Sequence, residues 1–202
     1  MAKDPPNTAE GSDKNPFLFP SGDVTLLTTH PNTKQPLTGT VVSYALTLAS
    51  PVWKKFLFPP WETNGVESKP KQINCTEDDS SALLILLNIA HLQFNEVSNG
   101  KLEYSLLFEV AKLCDQYDCV DLVRPWLQPW LAREQSECLK VGQEGWLWIT
   151  WVFGRENVFE ACAKNLAKVV STDKKGGCLL GNGKLIPEPV PPGIVSRFGR
   201  QM

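Results

Sequence analysis

The chain has 202 residues, 42% of them hydrophobic, and a formal net charge of −2. That length allows one good core, or one domain with an appendage. The composition excludes a wholly disordered chain, and the charge balance offers no basic face for nucleic acid. The N-terminal "MAKDPPNTAEGSDKNP" has no apolar segment of signal-peptide type, and no apolar run is long enough to span a bilayer. Six cysteines are too sparse for a disulfide scaffold, so the expectation is reduced thiols in an intracellular protein, cytoplasmic or nuclear. The sequon "NCT" at 74–76 has no role in that setting.

Residues 1–16 are polar and aperiodic and read as a disordered arm. "SGDVTLLTT" (21–29) alternates like a strand, "HPNTKQP" (30–36) is turn chemistry, and "LTGTVV" (37–42) supplies the second strand of a hairpin. Gly39 marks a bulge or a close backbone approach. "SYALTLASPVWKKFLF" (43–58) changes to helical spacing, with Ser50 as the cap and Pro51 as the first residue of a second short helix. A loop follows over 59–70, then a short strand over "KQINC" (71–75). "TEDDSSALLILLNIAHL" (76–92) reads as a central helix, apolar almost all round, with acids at its positive end.

A further helix is expected over 101–117, with the stripe Leu106, Val110, Leu113, Cys114 and Tyr117. The segment 120–131 keeps apolar spacing, but Pro125 and Pro129 demand a kink or a restart. After a polar link (132–144) come helices over 145–153 and 156–170. Glycine and proline then dominate 173–193, which reads as a tail with little regular structure.

The order is strand, strand, two short helices, strand and a helical half. Four segments, "GDVTLLT", "VVSYALTLASPVWKKFL", "INCTEDDSSALLILLNIAHL" and "LLFEVAKLCDQYDCVDLVRPWL", occur in register between residues 22 and 127. Together they resemble the BTB/POZ domain, its fungal branch above all. "LWITWVFG" and "ENVFEACAKNLAK" resemble the helical extension common in those proteins. The resemblance implies an α/β (α+β) fold: a small three-stranded sheet flanked by helices. It divides the chain into an N-terminal arm (1–19), a BTB/POZ domain (20–132), a helical extension (133–171) and a Gly/Pro-rich tail (172–202).

It also implies a protein-interaction module without catalytic residues or cofactor. Such a module self-associates or recruits partners, and some members are substrate adaptors for cullin-type ubiquitin ligases. Two departures stand out. Family members often carry a histidine and then a small or basic residue before the "LASP"-type helix; here those positions are Val42 and Ser43. In dimeric members the basic residue faces a buried aspartate, matched here by Asp23. Without it the charged pocket of the family homodimer is missing, and Asp23 is expected to accept backbone or hydroxyl hydrogen bonds instead. Cullin-binding members often carry a hydrophobic-x-Glu motif before the third strand, and "PPWETNGVES" has no clean match to it.

Three chemical readings compete with the interaction module. Cys114 and Cys119 could ligate a metal, but zinc needs four ligands, no second pair follows, and the only histidines are His30 and His91. On a continuous helix five residues turn the side chain by about 140°, so the thiols are expected to diverge. A Cys/His hydrolase lacks any nucleophile motif. "GGCLLGNGKL" (176–185) fails as a P-loop: Cys178 stands at the first glycine and Leu185 at the Ser/Thr. The aromatic and leucine side chains Tyr44, Leu48, Trp53, Trp61, Trp148 and Trp151 are candidates for a protein-binding surface. For the tryptophans of the extension, packing onto the core is the preferred reading and a groove for a partner helix or peptide the alternative.

Overall fold

The computed structural model describes residues 14–59, 71–172, 178–180 and 183–194. Strands β1 (Val24–Thr29) and β2 (Pro36–Val41) form the expected hairpin, in antiparallel register from Val24 opposite Val41 to Thr29 opposite Pro36. Helices α1 (Ser43–Ala49) and α2 (Pro51–Leu57) follow, and β3 (Gln72–Asn74) returns parallel to β1 on its other side. The sheet order is therefore β2-β1-β3. Alternation turns Val24 and Leu26 inward, where Ile73 joins them.

The Ser50-Pro51 restart forms as its residue types require. The Ser50 hydroxyl accepts from the backbone N–H of Val52 (3.1 Å) and of Trp53 (3.0 Å), while Pro51 occupies the first helical position. The central helix α3 (Ser80–Ala90) starts later than the acids do. Asp79 caps it by accepting from Ser81 and Ala82, and Thr76–Asp78 form the turn before it. Helix α4 (Tyr104–Gln116) packs on α3. Beyond it the prolines act as breakers: α5 (Val120–Val123) gives way to a 3₁₀ turn (Arg124–Trp126) holding Pro125, and α6 (Leu127–Trp130) holds Pro129. Short helix α7 (Glu134–Glu137) leads to α8 (Trp146–Val152) and α9 (Glu156–Ala167), and α8 lies against both α4 and α9. The result is a mixed α/β fold with a small three-stranded sheet, and its buried residues form one continuous core.

Three boundaries differ from expectation. Phe17 and Phe19 fall inside the stretch expected to be an arm, yet both sit in the core. Their backbone joins the free edge of β2, with Thr40 N–H donating to Phe17 O and Phe19 N–H to Thr40 O. Gly39 is the close approach that makes this possible: a Cβ there would come within 2.5 Å of Phe17 O. The tail is not featureless either. Strands β4 (Ser171–Thr172) and β5 (Cys178–Leu179) pair antiparallel, and Leu180, Ile186 and Ile194 are buried. The third difference is the start of α4, at Tyr104 and not at 101; its end agrees with expectation, and there Asp118 takes a left-handed φ of 48° and turns the chain back on itself.

Ser50 is fully buried and does more than cap α2, since its hydroxyl also donates to the carbonyl of Tyr117 at 2.5 Å. Ser50→Ala deletes a cap and strands a buried carbonyl, so it is expected to cost about 2 kcal/mol in urea denaturation. Lys112→Ala breaks the Lys112–Glu109 pair and a long contact of the ammonium with the Phe108 ring on one face of α4, and about 0.5–1 kcal/mol is expected there.

Candidate interaction surface

Helix α1 carries the clearest exposed apolar face. Tyr44 and Leu48, four residues apart and so one above the other, are 70% and 72% exposed, while Leu46 points into the core. The start of the helix is held at two neighbouring backbone groups. Val42 N–H donates to Nε2 of His91 at 2.9 Å, and Nδ1 of the same ring donates to Leu87 O at 2.8 Å. That geometry requires neutral imidazole with its proton on Nδ1. The ring stacks on Phe19 with centroids 4.0 Å apart, which ties the N-terminal segment to the same corner. One residue on, Asp23 accepts from both the N–H and the hydroxyl of Ser43, each at 2.6 Å.

Asp23 therefore has the hydroxyl and backbone partners expected for it, but it is exposed rather than buried. The Ser43 hydroxyl and N–H hold its carboxyl below the usual carboxylate range. Burial pushes the His91 imidazole down, away from the charged form.

The other candidates separate. Trp53 is 1% exposed and lies with its ring tilted against Tyr117, so it belongs to the core and not to a surface. Trp148 is 6% exposed and is likewise buried, its ring 4.9 Å from that of Trp151. For Trp148 this is the packing onto the core that its position in the extension favours; for Trp53 residue type misled, because a tryptophan at helical spacing serves either purpose. Trp151 remains partly exposed, on α8 rather than α1. Trp61 lies outside the described residues. Sequence reasoning missed Leu18, Phe56 and Leu92, all largely exposed. Leu92 follows His91 and so stands at the end of α3 that meets the start of α1, and Leu18 lies between the two core phenylalanines opposite Thr40. The signal for Leu18 was in the sequence: on an extended segment, Phe17 and Phe19 facing inward put the residue between them outward.

The sulfur chemistry corrects one expectation. The turn at Asp118 brings Cys119 N–H onto Cys114 O at 2.9 Å, and the two buried thiols become neighbours instead of diverging. The hydrogen bond that the Cys114 thiol donates to Cys119, with burial second, holds that thiol protonated well above its ordinary range. Burial also pushes the Cys75 thiol up to about 12 and raises those of Cys138 and Cys162. Nucleophilic cysteines need the opposite shift, toward thiolate. Among the described residues no group of three or more His, Cys, Asp and Glu is placed to hold a metal ion. No described helix is long and apolar enough to cross a membrane.

No family model matches this chain, and no curated protein matches it either.

The His91 contact has a pH signature. Its folded pKa lies below the ordinary value of about 6.5, so the unfolded chain binds the extra proton first. Stability from this group is complete above about pH 6.5 and is lost as pH falls through the lower folded value. Urea titrations at roughly pH 7.5 and 5.5 should show a loss in the acidic sample that His91→Gln shrinks. An equal loss in that variant would place the proton uptake elsewhere.

Proposed function

We propose that the chain is an interaction module of the BTB/POZ type, that it works without a catalytic step, and that it self-associates through the exposed face of α1. The observation that carries this reading is the Tyr44–Leu48 pair, two large apolar side chains in solvent on a helix anchored at its first turn. Apolar groups so placed gain free energy when a second surface covers them. The order of elements supports the fold assignment: a hairpin, two short helices joined at Ser50-Pro51, a parallel third strand and a helical half. The raised thiols and the occupied His91 support a role in binding over one in catalysis.

The contact differs in kind from the charged pocket of dimeric family members. Asp23 has both carboxylate oxygens occupied by Ser43 of its own chain, so association through this corner rests on apolar contact and shape. Such a dimer is weakly sensitive to salt, because no screened ion pair holds it.

Light scattering coupled to size exclusion tests this. The wild type is expected to give a dimer mass that rises with concentration and survives added salt. The double variant Tyr44→Asp/Leu48→Asp should dissociate at least about tenfold more readily, since it places charge in a desolvated contact. A wild-type chain that stays monomeric up to roughly 100 µM would overturn self-association as the function.

A further inference from the structure

A second surface lies in the helical half, away from the elements that carry Tyr44 and Leu48. A cavity of about 810 Å³ opens between α6 and α7 on one side and the turn joining α8 to α9 on the other. Its floor is apolar, made by Leu127 with the buried Leu131 and Phe153. Its rim is cationic: Arg124, Arg133 and Arg155 line it against a single carboxylate, that of Glu134.

That carboxylate is already neutralised. Glu134 is buried, and Nε and Nη2 of Arg155 both bond to it, the Nε contacts being 3.1 and 3.0 Å. These bonds use one edge of the guanidinium and fix its plane; no other carboxylate among the described residues pairs with Arg155. Arg124 pairs with Asp121 on the same short helical stretch, but both side chains are largely in solvent, so the pair is weak and exchangeable. Arg133 is exposed and has no carboxylate partner among the described residues. A chain of net charge −2 thus gathers three guanidinium groups around one apolar floor.

We propose that this groove binds an acidic peptide segment of a partner protein, with an apolar side chain on the Leu127–Leu131–Phe153 floor and flanking carboxylates on Arg133 and Arg124. Charge complementarity selects the ligand. An inorganic anion would make no use of the floor, and a lipid surface would not enter a concave site. Arginine favours carboxylate, which it can meet with two parallel bonds. The assignment does not depend on self-association through α1, because the two surfaces share no residue.

The test is selection of a random dodecapeptide display library on the full-length chain, followed by fluorescence anisotropy with the enriched peptides. The expected peptides carry net negative charge around a large apolar residue. They should bind Arg124→Glu/Arg133→Glu at least about tenfold more weakly, bind Tyr44→Asp/Leu48→Asp unchanged, and weaken as salt rises. Arg133→Ala, which reverses no charge, should show a smaller loss in the same direction. Circular dichroism of each variant establishes that it folds. Failure to enrich any peptide, enrichment of neutral or basic ones, or equal binding to the charge-reversed chain would overturn the proposal. So would arginine-dependent binding to vesicles of anionic phospholipid in the absence of peptide binding, which would reassign the rim to a membrane surface.

Discussion

Tyr117, the residue that ends α4, is the joint on which the fold depends. Its carbonyl accepts the Ser50 hydroxyl that caps α2, and its ring lies 4.8 Å from that of Trp53 on the same helix. Its own hydroxyl donates to Asp78, ahead of α3, and lies 3.6 Å from the Cys75 thiol that follows β3. One residue therefore fixes α2, the exit of β3, the approach to α3 and the end of α4 against each other. Burial raises its phenol far above the usual tyrosine range, so it remains a protonated donor at any pH the protein meets. Asp78 is in turn held by Gln116 at 3.1 Å, one residue before the joint. At the buried end of this network, where Ser50 meets the Tyr117 carbonyl, an alternative arrangement would leave an acceptor unmet.

What lies outside the joint follows from it. The chain leaves Tyr117 through the left-handed Asp118, reverses, and lays Cys119 beside Cys114. From there α5, α6 and the 3₁₀ turn between them carry the chain to the extension, and α8 returns to pack on α4. The extension is therefore part of the same core and not a separate body. Buried Trp130 shows how the join is made, its indole N–H donating to Ser98 O at 2.9 Å. Tyr104, at the opposite end of α4, accepts from Gly145 N–H at 2.9 Å, and a Cβ on that glycine would collide with the Tyr104 and Phe108 rings. The approach of α8 to α4 thus depends on a residue without a side chain.

Features with a local physical cause were legible from residue types alone. Ser50-Pro51 is a cap followed by a residue that suits the first helical turn, and it became one. Val24 and Leu26 alternate and face inward, and the two prolines broke the helix that follows α4. Features set by distant contacts were not legible. Nothing in the period of "GWLWITWVFG" tells whether Trp148 meets solvent or α4, and only the tertiary arrangement decides. A turn near Cys119 is legible in the sequence, but its left-handed form at Asp118, which brings Cys119 back beside Cys114, is not: aspartate tolerates that conformation but does not announce it. Phe17 and Phe19 were hidden by the polar run before them, although their burial needs only an edge strand to pair with and a glycine opposite. The exposed face of α1 was the part of the candidate surface best seen in advance, because Tyr44 and Leu48 share a helical face while Leu46 lies on the other.

The two proposed surfaces differ in their physics. At α1, the carboxylate and the imidazole nearest the apolar face are already committed to backbone and hydroxyl groups of the chain itself. Asp23 keeps its charge, but both its oxygens are already hydrogen-bonded within the chain, so contact through Tyr44 and Leu48 is governed chiefly by area and shape. At the groove Glu134 is sequestered by Arg155 and Arg124 shares its charge with the exposed Asp121, which leaves Arg133 without a carboxylate partner among the described residues. Contact there is governed by electrostatics, is steered at long range, and falls with ionic strength. A chain with both kinds of surface on different elements can pair with a copy of itself and present two grooves at once. Two acidic segments tethered to one partner then bind with an effective concentration set by the spacing of the copies, and the apolar contact raises the affinity of the charged one without touching it.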